Sequence, residues 1–410
     1  MDILENLPSI WQVFFVDFYQ TFIIIISMKK FYDVIIIGAG AAGLFAALNA
    51  LNAKKSVLIF EMGSEPARKV AASGGGRCNI TNMAAKYDRY FGNNPDFVRG
   101  ALSRFTPEDM IDWCKKHNIK LNEKTAGRFF CTDGANAVVN ALRQDTRNAD
   151  FVFDAKITDV QQLNDGTFAV NEYNAKSVIV ATGGISFPTL GVSDDGYKIA
   201  KKFGHKIVPV RPALCALKIS GAIADLAGIT LDAEIKIGKS VISDSLLITH
   251  FGIGGPLAYR ASLHDLKNGF YLNLLPEIDV LQWLKDAKHT AGKKNVASVL
   301  AEKLPVRIAK HLSAKYQQNI ADLPDSELNK IANNISNICI EGTMVALYGM
   351  SAAEVVRGGI DTRDVSSKTM ESKLCSGLFF AGEVLDIAGD LGGFNLHWAW
   401  ASGKVAGENA

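Results

Sequence analysis

Three rhythms of apolar and polar positions divide the chain. Val34 to Ile37 is an unbroken β-branched run, the pattern of a strand buried on both faces. An Ala/Leu-rich helical stretch follows, then a second apolar strand, SVLIFE, which ends in Glu61. Residues 151–184, FVFDAKITDVQQLNDGTFAVNEYNAKSVIVATGG, alternate like short antiparallel strands around turns such as Asn164-Asp165-Gly166 and close on another buried strand. Beyond His205, KIVPVRPALCALKISG and LDAEIKIGKSVISDSLLITH read as further short strands. From about residue 278 to 338 the period turns helical, in LQWLKDAKH, VASVLAEKL and ELNKIANNIS. A late strand, Leu378 to Ala381, and a small-residue helix end the chain. The pattern predicts an α/β protein with a β-rich stretch, 206–277, and a helical, basic one, 278–344, lying between the segments 31–205 and 345–410.

The first 28 residues stand apart. Residues 9–28 approach the length and apolarity of a membrane span, yet Asp17 sits mid-segment and Gln12 and Gln20 flank it. The residues before them are acidic rather than basic, which is wrong for a signal peptide. Residues 1–28 are therefore expected to be an extension outside the fold, with no stable membrane association.

Glycines punctuate the first strand–helix junction. Gly38, Gly40 and Gly43 form G-x-G-x-x-G: Gly38 permits the tight turn, Gly40 lets backbone approach a pyrophosphate, and Gly43 lets helix and strand pack closely. The pyrophosphate would meet the helix N-terminus at Ala41 and Ala42. Glu61, 23 residues after Gly38 and followed by Met62, is placed to hydrogen-bond an adenosine ribose. This fingerprint alone does not separate FAD from NAD.

The other end of the chain decides. Residues 377–407, GLFFAGEVLDIAGDLGGFNLHWAWASGKVAG, are similar to the closing segment of two-dinucleotide-domain flavoproteins, where a late strand ends in G-[DE] and the next helix points at the flavin. On that likeness Gly382, Glu383, Asp386, Gly392, Gly393, Phe394 and Asn395 would lie near the cofactor. The meander ending in Ala181, Thr182 and Gly183 resembles the segment that rejoins such a sheet beside the adenine. FAD is the cofactor expected.

SGGGRCNITN (73–82), ATGGISFPTLGVSDDGYKIAKKFGH (181–205), THFGIGGP (249–256) and TMESKLCSGLFFAGEVLDIAGDLGGFNLHWAWASG (369–403) occur in the order found in BaiN/YhiN-type flavoproteins, also described as aminoacetone-oxidase-like FAD enzymes. The resemblance covers everything from Phe31 onward. It implies a Rossmann-like FAD-binding domain of the two-dinucleotide-binding type, built from both chain ends, with β-barrel-like and helical parts inserted. Members are linked to reduction of conjugated C=C bonds in steroid-like compounds, to amine oxidation, and to dihydrouridine formation in ribosomal RNA. GRFFCTDGA (127–135) and the HWAWASG ending resemble the proteobacterial branch associated with the RNA reaction.

All these reactions move hydride at flavin N5, and reduction of uracil also needs a proton donor and a clamp for the developing enolate oxygen. No second strand–G-x-G-x-x-G unit appears, since HFGIGGP carries Leu257 at the third position; NADH or NADPH is thus expected to dock transiently as electron donor. Cys78 lacks the nearby second thiol of a redox disulfide and reads as a structural or flavin-contacting thiol, with proton donation or covalent attachment of the flavin as the alternatives. Cys131, after Phe129-Phe130, is the rival general acid or a buried structural cysteine. His250 is either a donor to a substrate carbonyl or a satisfied structural histidine. Gly75 and Gly76 expose backbone N–H groups and admit a flat ring, while Arg77 and Asn79 offer polar contacts to it. Arg68 and Lys69 are candidates for the FAD phosphates, against a reading as solvated charge. No metal-spacing cluster is evident.

Composition narrows the partners. Hydrophobic content of 48% with 21% charged residues is that of a folded globular chain, and a formal charge of +2 excludes a uniformly basic nucleic-acid coat. Residues 285–315 nevertheless hold eight Lys/Arg against Asp286 and Glu302, a local patch for ribosomal RNA phosphates or simply a solvated helix face. Six scattered cysteines without C-x-x-C spacing fit a reducing cytoplasm. A small-molecule flavin reductase or oxidase and a non-enzymatic redox-sensing flavoprotein remain the alternatives to the RNA enzyme.

Overall fold

The computed structural model describes residues 31–410 apart from 125–126, 158 and 222–223, so the expected extension at 1–28 lies outside the described residues. In chain order the elements around the site are β1 (Phe31–Ile37), α1 (Ala41–Asn52), β2 (Val57–Phe60), α2 (Arg68–Gly76), β3 (Asn79–Asn82), β4 (Arg128–Cys131), β5 (Asp150–Val152), β6 (Tyr173–Val180), β7 (Leu378–Phe380) and α3 (Phe394–Asn409). The main sheet runs β5-β2-β1-β6, with β7 also pairing β6; these strands are all parallel, and the hairpin Val160–Gln162/Phe168–Val170 extends the sheet antiparallel.

Register, not merely order, builds the functional edge. Ile37 pairs with both Phe60 and Val180, and Val180 pairs with Phe380. Four neighbouring strands therefore end level, and the residues after them, Gly38, Glu61, Ala181 and Ala381, emerge side by side. That is where open α/β sheets bind ligands. Both faces are covered, so Val34, Ile35 and Ile36 are fully buried, as the unbroken β-branched run requires.

Two helices approach closely because small residues line their contact. A Cβ on Gly403 of α3 would lie 2.4 Å from the Ala42 carbonyl oxygen, and one on Gly407 2.1 Å from that of Ala46. α3 also ties in neighbouring segments: Trp400 Nε1 donates to the Ile80 carbonyl at 2.9 Å, and His397 bridges Thr81 Oγ1 and the Phe105 carbonyl.

The insertion is reached through one ladder, Ile207–Ala213 antiparallel to Val355–Ile360. Beyond it, an antiparallel sheet runs Ile338–Ile340, Phe270–Asn273, Thr230–Ile237, Ser240–Thr249, Gly252–Gly254, Leu217–Ile219, Val345–Leu347. Helices Val280–Thr290, Val296–Leu300, Val306–Leu312 and Asp325–Ser336 pack against it, and their apolar side chains join those of the strands in one cluster from Leu217 to Ile335. Arg211 and Arg357, paired across the ladder, both donate to carbonyls after helix Gly255–Ala261, which anchors the insertion to its stem. No helix among the described residues is long and apolar enough to cross a membrane.

Candidate active site

A cavity of about 850 Å³ lies along the level strand ends. Its walls include Gly38 to Ala42, Glu61, Met62, Arg68, Lys69, Gly74, Gly75, Asn79, Ala181 to Gly183, Gly382, Glu383, Gly392, Gly393 and Asn395, so residues far apart in sequence converge there. At the first turn the space is already used up: a Cβ on Gly43 would sit 1.9 Å from the Gly38 carbonyl oxygen, and one on Gly38 2.5 Å from that of Ala181. Gly40 differs, with nothing within 4 Å, so its backbone face is left open toward the cavity. Glu61 is held at the end of β2, its carboxylate accepting from the N–H groups of Ala39 (2.9 Å) and Gly63 (2.8 Å). Among the described residues, Thr182 Oγ1 is buried without a hydrogen-bond partner on the same edge.

The glycine-rich loop breaks α2. Ser73 turns extended, and Gly74, Gly75 and Gly76 take φ of 58°, 65° and 79°, a left-handed run that only glycine tolerates cheaply. It brings β3 under the C-terminal half. The Asn79 amide, oriented to satisfy both neighbours, donates to the Phe129 carbonyl (3.3 Å) and accepts from Gly393 N–H (3.2 Å). Asn395 holds both backbone groups of Gly389, and α3 grips both of Gly382, through Ser402 Oγ and Trp398 Nε1. The backbone at the N-terminus of α3 is thus fixed against the cavity.

The two cations have partners within the protein. Arg68 pairs with Glu61 at 3.2 Å, and Lys69 binds Glu383 and Ser186 Oγ, each at 2.7 Å. Neither Gly43, which is buried, nor Gly76, which is exposed, lines the cavity, and the Asp386 carboxylate is turned to the N–H groups of Asn93 and Gly358, with burial raising its pKa. Phe394 lies under the guanidinium of Arg89, and exposed Arg77 lies over the ring of Phe130.

None of Cys78, Cys131 or His250 lines the cavity. Cys78 is wholly buried, with φ of 49°, and burial pushes its thiol up to about 12. Cys131 is also wholly buried; its Sγ donates to the Gly134 carbonyl at 3.1 Å, and burial raises its pKa. His250 is exposed in a turn of the insertion. Glu61, Asp195 and Glu383 line the cavity, and so does Glu354, just before the return strand of the ladder. Ringed by protein though open to the cavity, its carboxyl is pushed above the ordinary range by burial, with the Lys69 ammonium opposing. Arg128 lines it too, and its Nε is buried without a hydrogen-bond partner among the described residues. Neither stood out in sequence: Arg128 is adjacent to the Phe129-Phe130 pair, and an acid directly before a buried strand was the available sign of Glu354.

The open glycine turn, the carboxylate ending β2, the unpartnered Thr182 hydroxyl and the fixed α3 terminus all suit a dinucleotide lying along the edge. The class so defined is an FAD-dependent oxidoreductase on a Rossmann-like scaffold. More specifically, the chain belongs to the HI0933-like protein Rossmann domain family, matched over residues 32–409. It is similar to the ribosomal RNA dihydrouridine synthases of Escherichia coli strain K12 (36% identical, covering 92% of this chain and 96% of that one) and Haemophilus influenzae (35%, 92% and 97%). It is also similar to a 3-dehydro-bile acid delta(4,6)-reductase of Clostridium scindens (28%, 92% and 98%).

Proposed function

We propose that this chain reduces uridine to dihydrouridine in ribosomal RNA, drawing electrons from NADH or NADPH in the cytoplasm. The supporting observation is end-to-end likeness, at 35–36% identity, to two enzymes of that name. The overall change is uridine plus NAD(P)H and a proton to dihydrouridine plus NAD(P)⁺, with hydride entering uracil C6 and a proton C5. FAD, when bound, supplies the hydride transfer. The chain's own part is to bind and orient. Gly38 to Ala42 would hold the pyrophosphate, Glu61 the adenosine ribose, and Gly75, Asn79, Gly392, Gly393 and Asn395 the ring end, while Thr182-Gly183 would border the adenosine end. Burial raises the pKa of Glu354, which suits this lining acid to donate the proton to C5, whereas Cys78 and Cys131 do not line the cavity.

Two measurements test this. Anaerobic stopped-flow with the holoenzyme should show flavin bleaching by NADH or NADPH; no bleaching by either removes the donor. Mass spectrometry of ribosomal RNA from a deletion strain should show loss of a uridine heavier by 2 Da. Unchanged RNA would favour a second reading, reduction of a conjugated C=C in a small molecule, which rests on the 28% identical bile acid reductase.

A further inference from the structure

A second cavity, of about 490 Å³, abuts the first. Arg128 and Leu391 line both, so the two spaces share a wall. That wall is built by register and contact. Arg128 pairs with Asn82 across β4 and β3; Asn82 Nδ2 donates to the Gly392 carbonyl at 2.8 Å; and a Cβ on Gly392 would meet Arg128 Nε at 2.7 Å. The Nε end of the Arg128 side chain thus packs against Gly392, which borders the main cavity. Among the described residues it makes no hydrogen bond or ion pair, and its buried Nε is an unused donor.

The remaining lining of the side cavity mixes apolar side chains, Met83, Ala84 and Phe394, with polar and charged ones. Exposed Lys86 and Asp88 stand on it, with Arg89, whose charge is already engaged by Asp390 at 2.6 Å. A steroid-like substrate has no use for this set of charges. A nucleotide does: the planar guanidinium fork matches a uracil carbonyl, and an ammonium matches the phosphate.

We infer that the side cavity is the substrate site and receives a uridine nucleotide of RNA, turned out of its stack, with Arg128 donating to a uracil carbonyl at the wall shared with the main cavity and Lys86 meeting the phosphate. This rests on the RNA reading above. Displacing a base from its stack is unfavourable, and these contacts would offset that cost. A donor held against the carbonyl also stabilises the enolate oxygen that develops as C6 accepts hydride.

The test uses the FAD-loaded full chain with Arg128→Met and Arg128→Lys, assayed on ribosomal RNA from a deletion strain. Both variants should retain wild-type FAD content and NAD(P)H bleaching. Arg128→Met should lose dihydrouridine formation by on the order of 10²-fold, with Arg128→Lys intermediate. Turnover at the wild-type rate in Arg128→Met, or loss of FAD in both variants in step with activity, overturns the inference. A second readout does not need turnover: a uridine-containing oligonucleotide should perturb the flavin absorption of the wild type, less so with Lys86→Glu, and not with Arg128→Met. If wild type forms no dihydrouridine but the Arg128-dependent perturbation persists, the reaction assigned above falls and the binding site stands. Equal perturbation in wild type and Arg128→Met, or none in wild type, removes the site.

Discussion

Glu354 shows how a single side chain acquires its chemistry from its surroundings. Its backbone is fixed from two directions, with N–H donating to the Leu214 carbonyl at 3.2 Å and its own carbonyl accepting from Ser186 Oγ at 3.2 Å. Burial disfavours the carboxylate, so the acid stays protonated to higher pH than a free glutamate. Glu354→Gln should therefore bind FAD and be bleached normally, yet form dihydrouridine about 10²- to 10³-fold more slowly. In the wild type the same step should slow as pH rises through the elevated pKa, because the proton to be donated is lost; Glu354→Gln should lack that limb. A single-turnover pH profile of the reduced enzyme with RNA reads both. Sequence reasoning singled out Cys78, Cys131 and His250 for the chemistry their side chains can do. Position is what it could not supply. The environment of Glu354 is assembled from Lys69, Ser186 and Leu214, which meet only once the two chain ends and the ladder have folded together.

Among the elements, the α1–α3 pair carries the most weight. Their backbones touch at Gly403 and Gly407, so any larger side chain must push the helices apart. Gly407→Val should destabilise the protein by about 3 kcal/mol, at the upper end of core overpacking, and reduce FAD retention because α1 begins at the glycine turn. Lys404→Ala, removing only the pair with Glu408, should stay within about 0.5 kcal/mol. Urea midpoints of the apoprotein and FAD content after gel filtration give the comparison. The strand ends and the first glycine turn were legible because each rests on a local rule: buried β-branched runs and G-x-G-x-x-G. The small-residue character of the last helix was legible too, but its partner was not, since α1 is some 350 residues away along the chain. The loop 73–76 was readable as glycine-rich; its form, a helix broken at Ser73 into a left-handed run, depends on β3 and β4 being in place.

For the whole molecule, charge placement decides how an RNA could be held. The basic stretch 285–315 is partly spent internally: Lys288 pairs with Asp325, Lys294 with Glu302, and Arg307 donates to the carbonyls of Asp225 and Ala227. None of 285–315 lines either cavity. If this face tracks RNA, replacing Lys285, Lys293, Lys310 and Lys315 by Gln should weaken binding and flatten its salt dependence by about 0.7 log units for each phosphate that is no longer neutralised, with FAD content unchanged. An unaltered slope in a salt titration would leave RNA to the side-cavity rim alone. The net charge of +2 foretold none of this, because a sum carries no geography. The ladder that joins insertion to sheet has a different consequence. Ile207 lies opposite Ile360 and Ala213 opposite Val355, so the chain leaves the first domain and returns to it at nearly the same point. The insertion is topologically a cassette: its interior can change in length or sequence while its two ends stay together and the strand ends at the main cavity keep their register.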